Sequence, residues 1–364
     1  MTHDYLPQSI NGLIISTDTE AAALTATGRY TSHILTTLKL DRRSLTYWRV
    51  RFTEAVFNRP YRDSLNGYSV YRSTSGEDCF ETLARSLKPD AVIVHPTAFR
   101  GSAEQLKQSL NELSCPVIIN FLALQSFWTK PGLFTPDFFV GKHVLTNSEF
   151  MSRELKKRLQ LTYLPEYIYP SVDADEVIVE TTRRKVVFVN PVREKGLAIA
   201  LGLAESRPDI PFEFIGAWGR GQFDDATLLE KAENLSNVDM RPAETDKSKI
   251  YQDARIVLAP SLNEDGAFIE AWGRIATEAH FSGIPVLASA GHGFDESVGP
   301  GGMLVDVNAP IEDWTEALSQ MWDNPDVYSS LSEAALEYSK RPSIACSACI
   351  QKMDAFLQSV MQSQ

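Results

Sequence analysis

Two glutamates, Glu270 and Glu278, bracket the run Ala-Trp-Gly-Arg-Ile-Ala-Thr. They stand between a turn at Pro260-Ser261 and the segment Gly283-Ile-Pro-Val286. A helix beginning near Gly273 points unpaired N–H groups and the positive end of its dipole at whatever lies above it. Gly273 lets a phosphate approach the backbone closely, Arg274 adds a fork of donors, and Ile275 continues this donor-binding turn. A carboxylate accepts paired hydrogen bonds from a vicinal diol such as that of a ribose. One carboxylate for a ribose, one for a sugar, and cationic groups for a diphosphate make a site for a nucleotide-sugar. The loop with Glu264, Asp265 and Gly266 precedes this stretch, and the Gly-rich loop Gly291 to Glu296 follows it.

The elements that position these residues read as α/β throughout. Apolar runs at 12–16, 90–95, 115–121 and 142–146 are expected strands, with helices over 31–39 and from Ser148 to about Leu159. A second set follows: strands at 185–190, 211–215, 256–259 and 285–288, a helix from about Leu197 to Ser206, and helices beyond about Pro310. Continuous apolar strands separated by helices imply parallel sheets covered on both faces. Ligands then bind beyond the carboxyl ends of the strands. Gly283 is placed as the left-handed cap of the helix that carries Glu278. The chain of 364 residues is too long for one ordinary core. The expected division is one α/β domain over 1–173, a second over 174–340, and a C-terminal helix over 341–364 that can cross back to the first domain.

The stretch from Glu270 to Glu296 resembles the family-4 group of retaining glycosyltransferases. These have the GT-B fold, two Rossmann-like domains facing an interdomain cleft, so the resemblance implies an acceptor domain over 1–173 and a nucleotide-sugar donor domain over 174–340. The resemblance rests on Glu270-x7-Glu278, Ala279, Gly283-Ile-Pro-Val286 and the glycine loop ending at Glu296. It extends to Phe188-Val-Asn-Pro-Val-Arg-Glu-Lys195-Gly196. In that family the lysine reaches the donor diphosphate, so the resemblance gives Lys195 this role and sets Glu270 near the reacting centre. The family's arginine five residues before the lysine is Asn190 here; Arg193 or Arg274 can replace its charge. The segment Asn237-Val238 through Ala254-Arg255 matches the family's base-holding region. Thr27 to Thr31 resembles the glycine loop after the first strand, which places Gly28 at the donor. The first domain of that family often contributes a catalytic histidine; its usual position, after the next strand, holds Asn120 and Phe121 here, and His95, at the end of the strand 90–95, is the candidate in its place.

The resemblance implies sugar transfer with retained anomeric configuration, with no cofactor beyond the nucleotide-sugar substrate. No metal is required, since cations stabilise the leaving diphosphate, and no Asp-x-Asp loop is placed to hold one. The acceptor is a glycan, a lipid-linked sugar or a small molecule, which suits polysaccharide biosynthesis. Other chemistry on the same fold, a nucleotide-sugar epimerase or a phosphorylase, and a non-catalytic partner protein are the alternatives. A covalent glycosidase is disfavoured, because it needs two carboxylates facing the anomeric carbon and only Glu270 is so placed.

Composition narrows the partners. The net charge of −12 argues against general nucleic-acid binding. Residues 1–180 hold 19 Lys/Arg and 20 Asp/Glu, and the remainder holds 16 and 27. Residues 29–72 are the exception, with nine basic residues (Arg29, Lys39, Arg42, Arg43, Arg49, Arg51, Arg59, Arg62, Arg72) and three acidic (Asp41, Glu54, Asp63). Aromatic side chains are interleaved among them. This segment reads either as a solvated face or as a contact with phosphates or anionic lipid at a membrane surface. No run reaches the roughly 18 to 20 apolar residues of a membrane span, and Met1 to Ile10 carries no secretory pattern. Cys79, Cys115, Cys346 and Cys349 show no framework spacing. A cytoplasmic location, peripheral at the inner membrane face, is the expectation. The Cys346-x-x-Cys349 pair lacks the partners of a zinc site.

Overall fold

Residues 2–3, 5, 12–37, 45–74, 76–96, 103–124, 134–216, 226–244, 246–262 and 270–363 are described by a computed structural model of the chain. The loop with Glu264, Asp265 and Gly266, and the basic residues Lys39, Arg42 and Arg43, lie outside them. Contacts divide the chain into two units, Met1–Ile168 with Ser347–Gln364, and Tyr169–Cys346. The first division thus falls five residues before Asp173, and the final helix groups with the first unit.

The first unit opens with β1 (Thr2–His3), α1 (Gly12–Ala26), β2 (His33–Thr37), α2 (Leu45–Phe57), β3 (Tyr61–Leu65), β4 (Tyr68–Ser73) and α3 (Gly76–Leu87). The order β1-β2-β4-β3 makes one sheet, parallel except for the β3/β4 hairpin. Asn66 and Gly67 turn that hairpin with φ of 46° and 84°, the left-handed pair that a two-residue connection requires. This antiparallel pair departs from the all-parallel sheet expected of the segment. A second sheet, all parallel, contains β5 (Val92–Val94), β6 (Val117–Phe121), β7 (His143–Thr146) and β8 (Glu166–Tyr167) in that order. Helices α4 (Ala103–Asn111) and α5 (Glu149–Leu159) connect them.

Two sequence expectations fail here, and for one reason. Residues 12–16 are the start of α1 rather than a strand, and 31–39 contains β2 rather than a helix. Leu13-Ile14-Ile15 alone fits either element. What decides is the continuation: Ile14, Thr17, Ala21 and Leu24 are buried at helical spacing. Gly28 therefore lies in the turn after a helix, with φ +69° and nothing within 4 Å of an added Cβ. It does not occupy a glycine loop after a first strand.

The second unit continues with α6 (Ala174–Val177), β9 (Lys185–Val189), α7 (Leu197–Ser206), β10 (Phe212–Ile215), α8 (Ala226–Glu233), β11 (Val238–Arg241), α9 (Lys247–Tyr251), β12 (Ala254–Ala259), α10 (Arg274–His280), β13 (Val286–Ser289), α11 (Phe294–Val298), β14 (Gly302–Val305), α12 (Ile311–Asp323) and α13 (Pro325–Ser339). Its six strands are all parallel, in the order β11-β10-β9-β12-β13-β14. Alternate residues enter two separate cores. Val186, Phe188, Ile256 and Leu258 pack with α7 and α12 on one face; Val187, Val257, Val286 and Ala288 pack with α9 and α10 on the other. Burial on both faces is why these strands read as unbroken apolar runs.

The last helix, α14 (Cys346–Gln362), buries Cys349, Met353, Leu357 and Val360 against Leu24, Ile118, Leu145 and Ile168 of the first unit. Asp354 on α14 accepts a hydrogen bond from Tyr30 at 2.7 Å and pairs with Arg29 at 2.7 Å. Among the described residues no helix is long and apolar enough to cross a membrane.

Candidate functional site

The loops that carry Lys195 and Glu270 meet at the carboxyl ends of β9, β12 and β13. After β9 the chain passes Asn190 and forms one short turn, Arg193–Lys195. Gly196 then starts α7 in the left-handed region at φ +84°. A Cβ on Gly196 would lie 2.0 Å from the Pro260 carbonyl oxygen. Only glycine lets the β9 loop close onto the Pro260-Ser261 turn after β12, and Leu262 N–H donates to Glu194 O at 2.9 Å across the same contact. Gly196→Ala is expected to destabilise the second unit by about 1–3 kcal/mol, since the obstructing atom is backbone and φ is positive. Chemical denaturation checks this; a variant as stable as the native chain would contradict the close approach.

That contact carries Lys195 to Glu270. The ammonium of Lys195 donates to Glu270 Oε2 at 2.5 Å, with both side chains partly buried. Ser261 Oγ lies 3.4 Å from the same oxygen. The loop after β13 supports the glutamate from behind. Gly293 N–H donates to Glu270 O at 2.8 Å, and a Cβ on Gly293 would meet the Ala271 carbonyl at 2.2 Å. Trp272 stacks on Tyr169 at 4.2 Å between ring centroids and donates to Thr277 Oγ1 at 3.2 Å.

Gly273 caps α10 with φ +79°. The space where its side chain would stand is filled by the Phe294 ring, 2.3 Å from an added Cβ. Packing and backbone conformation thus account for this glycine without invoking a ligand. Ile275 is partly buried against the neighbouring core.

Glu278, on α10, sits in a different and more enclosed setting. It is 5% exposed. It pairs with the Lys247 ammonium, accepts from Tyr251 Oη at 2.8 Å, and lies 3.6 Å from Arg274 Nε. Burial alone would raise its carboxyl; Lys247, Arg274 and the Tyr251 hydroxyl outweigh that and hold it below the usual carboxylate value. Burial, with the adjoining Glu278 carboxylate, pushes Tyr251 well up, so the phenol stays a donor. Arg274 also donates to Ser171 O at 3.0 Å. It is engaged with Glu278 rather than standing before the helix. Arg193 is exposed on its short turn.

Asn190 occupies the left-handed region at φ 65°, where asparagine is among the better-tolerated residues. Its side-chain oxygen is buried without a hydrogen-bond partner.

Three residues of this site were not legible as such. Lys247 and Tyr251 lie on α9, upstream of the motif, and no spacing cue ties them to Glu278. His292 reads as a loop residue, yet it is 1% exposed, with Nδ1 unpartnered. Burial lowers its pKa, Glu270 and Asp295 oppose the shift, and Lys195 adds to it. His280, by contrast, is structural: Nε2 lies 3.1 Å from Gly301 O, and burial with Arg341 nearby pushes it down to about 3.

His95 lies in the first unit, just beyond β5. It is 3% exposed, with Nε2 3.3 Å from Thr17 Oγ1. Burial above all pushes it down to about 3. It is therefore a neutral imidazole near pH 7, suited to hydrogen bonding and poorly matched to a titrating general base. Among the described residues no three His, Cys, Asp or Glu side chains group as a metal site.

Known proteins resemble the second unit in sequence and the chain in fold. Residues 173–338, essentially the second unit, match the family model for Glycosyl transferases group 1. D-inositol 3-phosphate glycosyltransferase of Corynebacterium aurimucosum is 39% identical over 101 residues, covering 27% of this chain and 22% of that protein. The enzyme of the same name from Corynebacterium urealyticum is 33% identical over 156 residues, covering 40% of this chain and 35% of that protein. The chain thus matches about a fifth to a third of the length of these relatives. Among solved structures, Anabaena HepE in complex with UDP-glucose superposes with a TM-score of 0.72 at 14% identity, covering 98% of each chain. A glycosyltransferase from Rickettsia africae superposes with a TM-score of 0.70 at 12% identity, covering 100% of this chain and 99% of that one. At such identity the likeness establishes the fold, which is GT-B.

Proposed function

We propose that this chain is a retaining glycosyltransferase that moves a sugar from a nucleotide-sugar to a glycan, lipid-linked or small-molecule acceptor without a metal ion. The observation that carries the reading is the Lys195–Glu270 contact at the carboxyl end of the sheet, with Glu278 held ionised on α10. The group-1 family match over the same residues and the UDP-glucose complex of the similarly folded HepE support it.

The residues divide the work. Lys195 and Glu270 neutralise one another in the structure; a diphosphate would share the ammonium and free Glu270 to face the sugar ring. As the bond from the anomeric carbon to the diphosphate breaks, negative charge grows on the leaving oxygen. Lys195, an arginine, and the first N–H groups of α10 are the donors that stabilise it. The acceptor hydroxyl attacks from the face the diphosphate leaves and passes its proton to the departing diphosphate oxygen, which retains configuration. Glu278 is the acceptor for the ribose diol, its charge fixed by Lys247 and Arg274. The sparse cysteines, with no framework spacing, fit a cytoplasmic setting.

The test is to incubate the full chain with nucleotide-sugars, a chelator and candidate acceptors, and to follow the anomeric proton of the product by NMR. An α-linked donor is expected to give an α-linked product with chelator present. An inverted product, or turnover only with added divalent cation, would overturn the reading. A free epimerised nucleotide-sugar would point to the epimerase chemistry instead.

A further inference from the structure

Helix α2 carries its apolar face on the outside. Leu45, Trp48, Phe52 and Val56 follow one another at helical spacing, so they form a single stripe. All four are exposed, Trp48 by 61% and Phe52 by 62%, and Phe57 continues the stripe at the helix end. The inward side is held by polar groups. Glu54 accepts from Ser73 Oγ at 2.6 Å, from Thr74 N at 2.7 Å and from Thr74 Oγ1 at 2.6 Å. Val50 is the buried residue of the helix. A helix anchored by a carboxylate, with aromatic rings turned to solvent, is the reverse of a surface helix in a water-soluble domain.

Charge identifies what covers this face. Arg49 and Arg59 are exposed beside the stripe, and the Arg59 guanidinium lies 5.5 Å from the Phe57 ring centroid. Arg51 is 56% exposed and is 4.0 Å from Glu54. The whole segment 29–72 holds nine basic residues against three acidic, in a chain whose net charge is −12. A second copy of the chain fits poorly. A two-fold pairing through α2 would bring these arginines against their equivalents. Among the described residues, the other exposed large apolar side chains, Val140, Tyr163, Leu164, Ile178, Leu304 and Leu336, form no run at helical spacing that could receive it. A surface of anionic headgroups over hydrocarbon answers both features, since it takes the rings below and the guanidinium groups above.

We propose that α2 is a membrane-docking helix that lies in the headgroup region of an anionic bilayer. The proposal does not depend on sugar transfer, and its assay contains neither donor nor acceptor. The full chain is sedimented at low salt with vesicles of phosphatidylcholine alone or mixed with phosphatidylglycerol. The mixed vesicles are expected to bind at least about tenfold more tightly, and added salt should weaken the binding. Trp48→Ser with Phe52→Ser should reduce binding by about tenfold or more. Both side chains are exposed, so the thermal unfolding curve should not move. Arg49→Glu with Arg59→Glu should weaken binding in the same direction and serves as the second variant. No binding to mixed vesicles at low salt, or binding unchanged in both variants, would overturn the proposal. So would sedimentation velocity showing a native dimer that Trp48→Ser with Phe52→Ser dissociates, because the face would then belong to a second copy.

Discussion

Lys195→Ala is expected to lower sugar transfer by about a hundred- to a thousandfold with the fold intact, the scale seen when one donor to a developing oxyanion is removed. The lysine closes a short turn at the rim of the sheet and is partly exposed. Its packing contribution is small, so the loss should be in catalysis. Its contact with Glu270 joins the β9 loop to the glutamate motif through side chains of opposite charge. Substitution leaves Glu270 without a cation at that oxygen and leaves a diphosphate without its ammonium. Steady-state transfer and a thermal melt, measured on the same preparation, separate the two effects. A variant that keeps near-native turnover would remove the diphosphate role from Lys195.

Glu270→Ala should act on turnover rather than on nucleotide affinity, lowering kcat by about a hundredfold. A contact made to the reacting sugar is strengthened in the transition state, so its loss falls on kcat. The backbone of Glu270 keeps its own role, because Gly293 N–H bonds the carbonyl and not the carboxylate. The loop should therefore hold its shape. Glu278 predicts the opposite pattern. Its carboxylate is ionised, enclosed and directed by Lys247 and Tyr251, a setting for uniform binding of a diol. A variant pair in which Glu270→Ala raises KM alone while Glu278→Ala lowers kcat alone would exchange the two assignments.

The glutamate motif was legible because its flanking residues impose geometry. Gly196 must be glycine for the β9 loop to reach Pro260, Gly273 for Phe294 to pack, and Gly283 adopts the left-handed turn after α10 at φ 62°. Such positions leave a mark in the sequence, and the parallel strands of the second unit leave another in their unbroken apolar runs. The polar cage around Glu278 leaves none. Lys247 and Tyr251 meet it only because α9 packs beside α10 on one face of the sheet, a tertiary fact with no local period. The first unit was less legible. The run Leu13-Ile14-Ile15 fits strand and helix equally, and the choice between them moved Gly28 from a strand-end loop to a helix-end turn. The outward face of α2 was visible as charge and aromatics, but which way they point is a property of packing. Asn190 stood out as a departure from the family pattern, and its left-handed backbone shows why asparagine is tolerated there.

On the proposed reading the second unit holds a nucleoside diphosphate with Glu278 on the ribose. Calorimetric titration tests it most directly, using UDP, GDP and ADP with chelator present, on the native chain and on Glu278→Ala. One of these nucleotides is expected to bind the native chain. Glu278→Ala should bind it about ten- to a hundredfold more weakly, as loss of a charged hydrogen bond of about 1.5–3 kcal/mol requires. A thermal melt of each sample shows that both are folded. If no nucleoside diphosphate binds the native chain, or if Glu278→Ala binds with native affinity, the donor site is not where Glu278 lies.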